Sequence, residues 1–141
     1  MRLSHLFMIL CITVALSSCV KENTPTIPLN NNIDTTTAMS RYMGTFMNGP
    51  YGSVTGAARI YFQNNSFILA LEGVRISNGP DLHVYLSKET FPVNYIDLGS
   101  LQSVAGNQLY SIPGSPDFSQ YKYALIHCQR FNHLFGSAEL R

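Results

Sequence analysis

The residue most able to do chemistry in this chain is a cysteine without an evident partner. Of three cysteines in 141 residues, Cys11 and Cys19 lie in or at the end of an apolar N-terminal stretch, and Cys128 stands alone in the run YKYALIHCQ. In an oxidising compartment an exposed lone thiol is soon oxidised or cross-linked, so Cys128 is either a small buried hydrophobe or a thiolate used for redox or ligation. Neighbouring residues on a strand point to opposite faces, which turns His127 away from the sulfur. Arg130, two residues on, would share the face of Cys128 if the strand continues and would favour thiolate there; a solvated strand-end arginine is the plainer reading. His83, Cys128 and His133 would make the two-imidazole, one-thiolate set of a trigonal copper site, which usually adds a weak axial Met. The methionines beyond the leader (Met39, Met43 and Met47) all precede His83 and none follows His133. No zinc-ligand spacing and no Cys-x-x-Cys-His haem attachment appears, so no metal is expected. Non-covalent haem with Cys128 as axial ligand stays open, with His83 and His133 as further cofactor-binding candidates.

Other chemistry is weaker. Asp81 and Asp97 could be paired carboxylates for hydrolysis, but Asp81 follows Gly-Pro and reads as a turn cap, and Asp97 as a strand-end residue. Tyr85, Tyr95 and Tyr110 could line a ligand surface, although tyrosines on strands mostly pack. There is no Gly-x-Ser-x-Gly elbow and no phosphate-cradling glycine loop. Charged residues make up only 12% of the chain, and loss of Arg2 with the leader leaves eight basic against 8 acidic residues. That balance carries no basic footprint for nucleic acid and no polybasic lipid-headgroup patch.

The elements that must position these residues begin with an address. Arg2, the apolar run over residues 6–16 and small Ser17-Ser18 have the three parts of a signal peptide over residues 1–18, too short in its apolar part to span a bilayer as a helix. Leu16-Ser17-Ser18-Cys19 resembles the bacterial lipobox. That resemblance implies cleavage before Cys19, lipid on its thiol and a membrane as partner. Val20-Lys21-Glu22 lacks the aspartate that retains some lipoproteins in the inner membrane, which favours the outer membrane of a cell envelope. Residues 19–40 are rich in Thr, Asn and Pro and are expected to form a flexible tether.

From residue 41 the pattern switches to period two. Strands are expected at 41–48, 53–62, 66–72, 80–87, 94–101, 107–112, 121–129 and 133–140, with Asn64-Asn65 as a two-residue hairpin turn. About eight short strands over residues 41–141 predict an all-β fold, a single antiparallel β-sandwich.

Three segments carry a family resemblance: Gly79-Pro80-Asp81-Leu82-His83-Val84-Tyr85-Leu86-Ser87; Asp97-Leu98-Gly99-Ser100-Leu101 running into Gly106-Asn107-Gln108-Leu109-Tyr110; and Ala124-Leu125-Ile126-His127-Cys128 closing on Phe135-Gly136-Ser137-Ala138-Glu139-Leu140. In this order they resemble the DM-thirteen, or electron transfer, domain family. The resemblance implies a β-sandwich with one characteristic cysteine, here Cys128, acting in electron transfer as a bare thiol or by holding a prosthetic group such as haem. An aromatic residue commonly precedes that cysteine in the family, whereas His127 does so here. Two functions follow as expectations. One is a membrane-anchored redox domain centred on Cys128, serving an unidentified redox or protein partner. The other is a non-enzymatic cell-surface binding or adhesion module in which Cys128 only fills the core.

Overall fold

The computed structural model describes residues 23–141; the leader, Cys19 and the first residues of the tether lie outside them. Every expected strand forms, and one more appears: β1 (Leu29–Asn30), β2 (Met39–Asn48), β3 (Val54–Gln63), β4 (Ser66–Ile76), β5 (Leu82–Ser87), β6 (Tyr95–Ser100), β7 (Ala105–Ile112), β8 (Tyr123–Cys128) and β9 (His133–Glu139). No helix occurs among the described residues, so the all-β expectation holds.

The layout is one curled sheet in the order β1-β7-β4-β3-β2-β9-β8-β5-β6, where a two-sheet sandwich was expected. The reason is the length of β2. Its first part, Met39 to Thr45, pairs with β3, and its last three residues, Phe46 to Asn48, pair with β9. One strand thus joins what would otherwise be two sheets. Facing bulges add curvature: the register shifts at Thr55/Ala57 in β3 and at Leu71/Val74 in β4, and bulged strands bend and twist more strongly. Gly56 supplies the first bulge at φ 102, and a side chain there would meet the backbone of β4.

The β3–β4 hairpin closes as the sequence indicates. Asn64 and Asn65 take φ of 49 and 60, the left-handed pair that a two-residue turn with the right twist requires, and Gln63 faces Ser66 across it. Inside the curl, Ala58, Ile60, Leu69, Leu71, Val84, Leu86, Ala124 and Ile126 have lost essentially all solvent contact. Burying such a side chain stabilises by roughly 1.5–3 kcal/mol before ordering entropy is subtracted.

The segment expected to be a loose tether is, over residues 24–38, laid along the sheet. Thr24 donates its N–H to the Gly79 carbonyl, Pro25 accepts from the Val104 N–H at 2.9 Å, and Ser103 Oγ donates to the Ile27 carbonyl at 2.7 Å. Leu29 and Asn30 pair in parallel with Gly106 and Asn107. Gly106 is required there, because a Cβ would run into the Leu29 carbonyl. Its polar composition alone offers too little apolar surface to offset its ordering entropy. What offsets it is the open edge of β7, whose unpaired backbone groups recruit an extra strand.

Candidate functional site

Cys128 ends β8 and is 1% exposed. It stands opposite Leu82 on β5 and His133 on β9 and belongs to the core cluster with Leu82, Ile126, Phe135 and Ala138. It has no disulfide partner among the described residues. Three loops fold over this end. Gly49 N–H donates to the Phe135 carbonyl at 2.7 Å, Ser77 N–H to the Ser53 carbonyl at 2.9 Å, and Gln129 N–H to the Asp81 carbonyl at 2.9 Å. The ring of Phe135 plugs the space beneath them, so close to Gly52 and Gly79 that a Cβ on either would strike it.

His127 turns to the other face, as alternation requires, and is nearly as buried, at 3%. The bulge next to it lies on β9 and leaves β8 regular. On this outer face of β5, β6 and β8 the structure gathers a set of rings. Tyr85, 1% exposed, stacks on Tyr95 with centroids 4.3 Å apart. The His127 ring is 5.4 Å from Tyr85 and 5.8 Å from Phe91, and His83 is 6.0 Å from Tyr85. The Tyr85 hydroxyl accepts from Gln129 Nε2 at 3.2 Å. Burial, with the Asp97 charge adding to it, pushes this phenol up to about 12, so it stays protonated at neutral pH.

His83 sits between two carboxylates. Its Nδ1 lies 3.0 Å from Asp97 Oδ2 and its Nε2 lies 3.6 Å from Asp81 Oδ1. A carboxylate can only accept, so Nδ1 carries the proton in the Asp97 bond. Asp81 and Asp97 thus flank an imidazole, and Asp97 also accepts from the Gly99 N–H at 2.8 Å. Burial lowers the affinity of His127 for a proton, with the neighbouring His133 and His83 adding to the effect and the Asn132 hydrogen bond opposing it. Its Nε2 is 3.1 Å from Asn132 Oδ1, while its buried Nδ1 has no hydrogen-bond partner. That pattern suits a neutral ring protonated at Nε2.

The residues singled out in the sequence are therefore not brought to one point. His83 and Cys128 lie on opposite faces of the β5–β8 pair, since their cross-strand partners are His127 and Leu82 respectively. His133, at the strand end beside Cys128, stacks flat on Tyr51 with centroids 3.7 Å apart. Among the described residues no three His, Cys, Asp or Glu side chains are grouped to hold a metal. Nor do the surroundings of Cys128 fit a haem: axial ligation needs a slot for the macrocycle at the sulfur, and Cys128 is enclosed by core side chains. Arg130 is exposed and lies over Phe131. Tyr110 is apart from Tyr85 and Tyr95, buried with its hydroxyl donating to Gln108 Oε1 at 2.7 Å. The His83–Tyr85 and Tyr95–Asp97 spacings were the available signal for the outer-face cluster, since alternation sends each pair to one side of its strand.

A second concentration of rings lies at the far end of the curl. Arg41, Tyr42, Phe62, Phe67 and Phe118 line a cavity of about 210 Å³.

The family model described as Electron transfer DM13 matches residues 45–140. No curated protein and no solved structure matches the chain.

Proposed function

This chain belongs to the electron transfer DM13 family, and from that premise we propose that it is a lipid-anchored electron-transfer domain centred on Cys128. It serves a redox partner at the cell envelope, on the outer membrane, and does not turn over a metabolite. The observation that carries the reading is the family match, in which Cys128 is the single cysteine of the matched segment.

Burial narrows the redox chemistry. Disulfide exchange and metal capture need a thiolate that another atom can reach, and at 1% exposure the sulfur is closed to both. Electron exchange through intervening side chains needs no such contact: an oxidised one-electron carrier at the envelope would take an electron from the thiol, leaving a thiyl and releasing the thiol proton to water. The outer-face rings of Tyr95, Tyr85 and His127 lead from solvent to the residue bonded to Cys128. Enclosure also explains how an unpaired thiol survives outside the cytoplasm.

Lipid on Cys19 holds the domain at the membrane. The five residue-to-residue steps from Cys19 to Thr24 would reach at most about 18 Å. Since Thr24 bonds to Gly79, the end of the sheet containing Cys128 would stand nearest the bilayer.

Voltammetry of the purified full-length protein, wild type against Cys128→Ala, tests the redox half. A redox wave that the substitution abolishes is expected; a protein that gives no wave, or a wave that Cys128→Ala leaves unchanged, overturns it. Cys19→Ser tests the anchor separately, by release of the protein from the membrane fraction.

One observation favours a second reading. The same enclosure among Leu82, Ile126 and Phe135 is what a purely structural cysteine shows. In that case the domain is a binding or adhesion module, and Cys128→Ala alters stability alone.

A further inference from the structure

The end of the curled sheet remote from Cys128 is built around aromatic rings, with Arg41 on the lining of the cavity they form. β8 runs from Tyr123 to Cys128. Its start lies beside the chain terminus, where Leu140 N–H bonds the Lys122 carbonyl and Arg141 exchanges two backbone hydrogen bonds with Met43. Tyr42 is therefore at the opposite end from the thiol. The two-residue Asn64-Asn65 turn sets Phe62 directly opposite Phe67, with ring centroids 4.8 Å apart. Phe118 arrives from the turn that Asp117 organises by accepting from the Ser119, Gln120 and Tyr121 N–H groups. It lies 4.8 Å from Phe67 at 66° and 5.3 Å from Tyr42.

Arg41 is the extra residue of a bulge. Ser40 pairs with Tyr61 and Tyr42 with Ile60, leaving Arg41 without a cross-strand partner. Bulges of this kind re-aim a side chain, and this one holds the guanidinium 6.0 Å from the centroid of Phe62, on the lining of the cavity. Among the described residues Arg41 has no carboxylate partner, in contrast to Arg59, which pairs with Glu72, and Arg141, which pairs with Glu139. A guanidinium whose donors are not committed to a carboxylate, beside four aromatic rings at the open end of a β-curl, combines charge complementarity with stacking surfaces.

We propose that this mouth, lined by Tyr42, Phe62, Phe67 and Phe118 with Arg41 at its rim, is a binding site for a small planar aromatic molecule bearing an anionic oxygen group. The volume of about 210 Å³ is below the roughly 300–1,000 Å³ of pockets for drug-sized ligands, which limits the ligand to one or two fused rings. The rings supply stacking, and Arg41 supplies paired N–H donors to a carboxylate or sulfonate. The site is independent of the chemistry at Cys128.

Titration calorimetry on the full-length protein with 2-naphthoate, its neutral counterpart 2-naphthamide, and cyclohexanecarboxylate tests the proposal, with thermal midpoints as a folding control. Naphthoate should bind with one-to-one stoichiometry, and Arg41→Gln should weaken it about tenfold while leaving naphthamide affinity within about twofold. Phe118→Leu, which keeps an apolar side chain in place but removes the ring, should weaken both aromatic probes, and cyclohexanecarboxylate should bind far more weakly than naphthoate. No naphthoate binding at millimolar concentration overturns the site, as does binding that neither variant alters. Equal binding of the saturated carboxylate overturns the aromatic class, and an Arg41→Gln variant that binds naphthoate as well as wild type overturns the anionic one.

Discussion

At one end of the curled sheet the loops 49–53, 77–81 and 129–132 interlock over Cys128; at the other, the tips of β2, β3 and β4 stand around an aromatic mouth. The same strands build both ends, and the ends differ in what covers the strand termini. A two-residue turn reverses β3 into β4 without any chain to fold back across the core, so Phe62 and Phe67 stay at an open rim. At the thiol end the connections bond to one another through their backbones, Ser77 to Ser53 and Gln129 to Asp81, whereas the 113–122 connection at the other end only brings Phe118 to the rim. The contrast shows how one sheet can shelter an oxidisable group at one end and leave a ligand-sized opening at the other.

The largest effect that would sharpen this contrast concerns the two phenylalanines that finish the ends. Phe135→Ala should lower unfolding free energy by about 3–5 kcal/mol, as removal of an enclosed ring does. Phe118→Ala should fall at the lower end of that range, about 3 kcal/mol, because its ring also lines the cavity and lacks partner atoms there. Urea denaturation of the two variants checks this, and equal losses would mean that the mouth is packed as tightly as the thiol end. Next in size, Cys128→Ala should cost about 1–2 kcal/mol, and the wild-type thiol should react with an aromatic disulfide reagent at the rate of unfolding; fast labelling under native conditions would break the picture of a closed end.

A smaller effect is pH-dependent. Burial holds His127 below its ordinary value of 6.5, so the folded state favours the neutral ring and the unfolded state binds more protons as pH falls. Stability from this group is complete above about 6.5 and is lost as pH drops below that value toward the folded one. His127→Gln should flatten the decline of thermal midpoint over that window. Asp34, Glu89, Asp117 and Glu139 are held low by hydrogen bonds, so what they add is fully present above about 4.5 and is lost only as pH falls below that value, outside the His127 window. Smallest of all, Arg41→Gln should change stability by less than about 0.5 kcal/mol. A larger loss in the same denaturation experiment would make Arg41 a structural residue of the mouth.

Much of this molecule is legible in local pattern. Alternating apolar and polar residues from position 41 onward mark the strands, and a β-strand of that pattern has only one way to face a core. The tandem asparagines mark the tight turn because both accept positive φ. The opposite facing of His127 and Cys128 follows from the two-residue period alone. The solitary state of Cys128 within the domain follows from counting, and membership in the electron transfer DM13 family follows from residue types in order.

Tertiary structure decided the rest, and in each case the deciding partner is distant in the chain. The pairing of β2 with both β3 and β9 turns two expected sheets into one curl. The edge of β7 orders residues 24–38, whose own composition offers too little apolar surface to order themselves. Whether a lone thiol is reachable depends on three loops and the ring of Phe135. The mouth needs a bulge at Arg41 and a ring carried in from Phe118. A strand's period determines which face a side chain takes, while what covers that face depends on long-range packing, which no local stretch of sequence encodes.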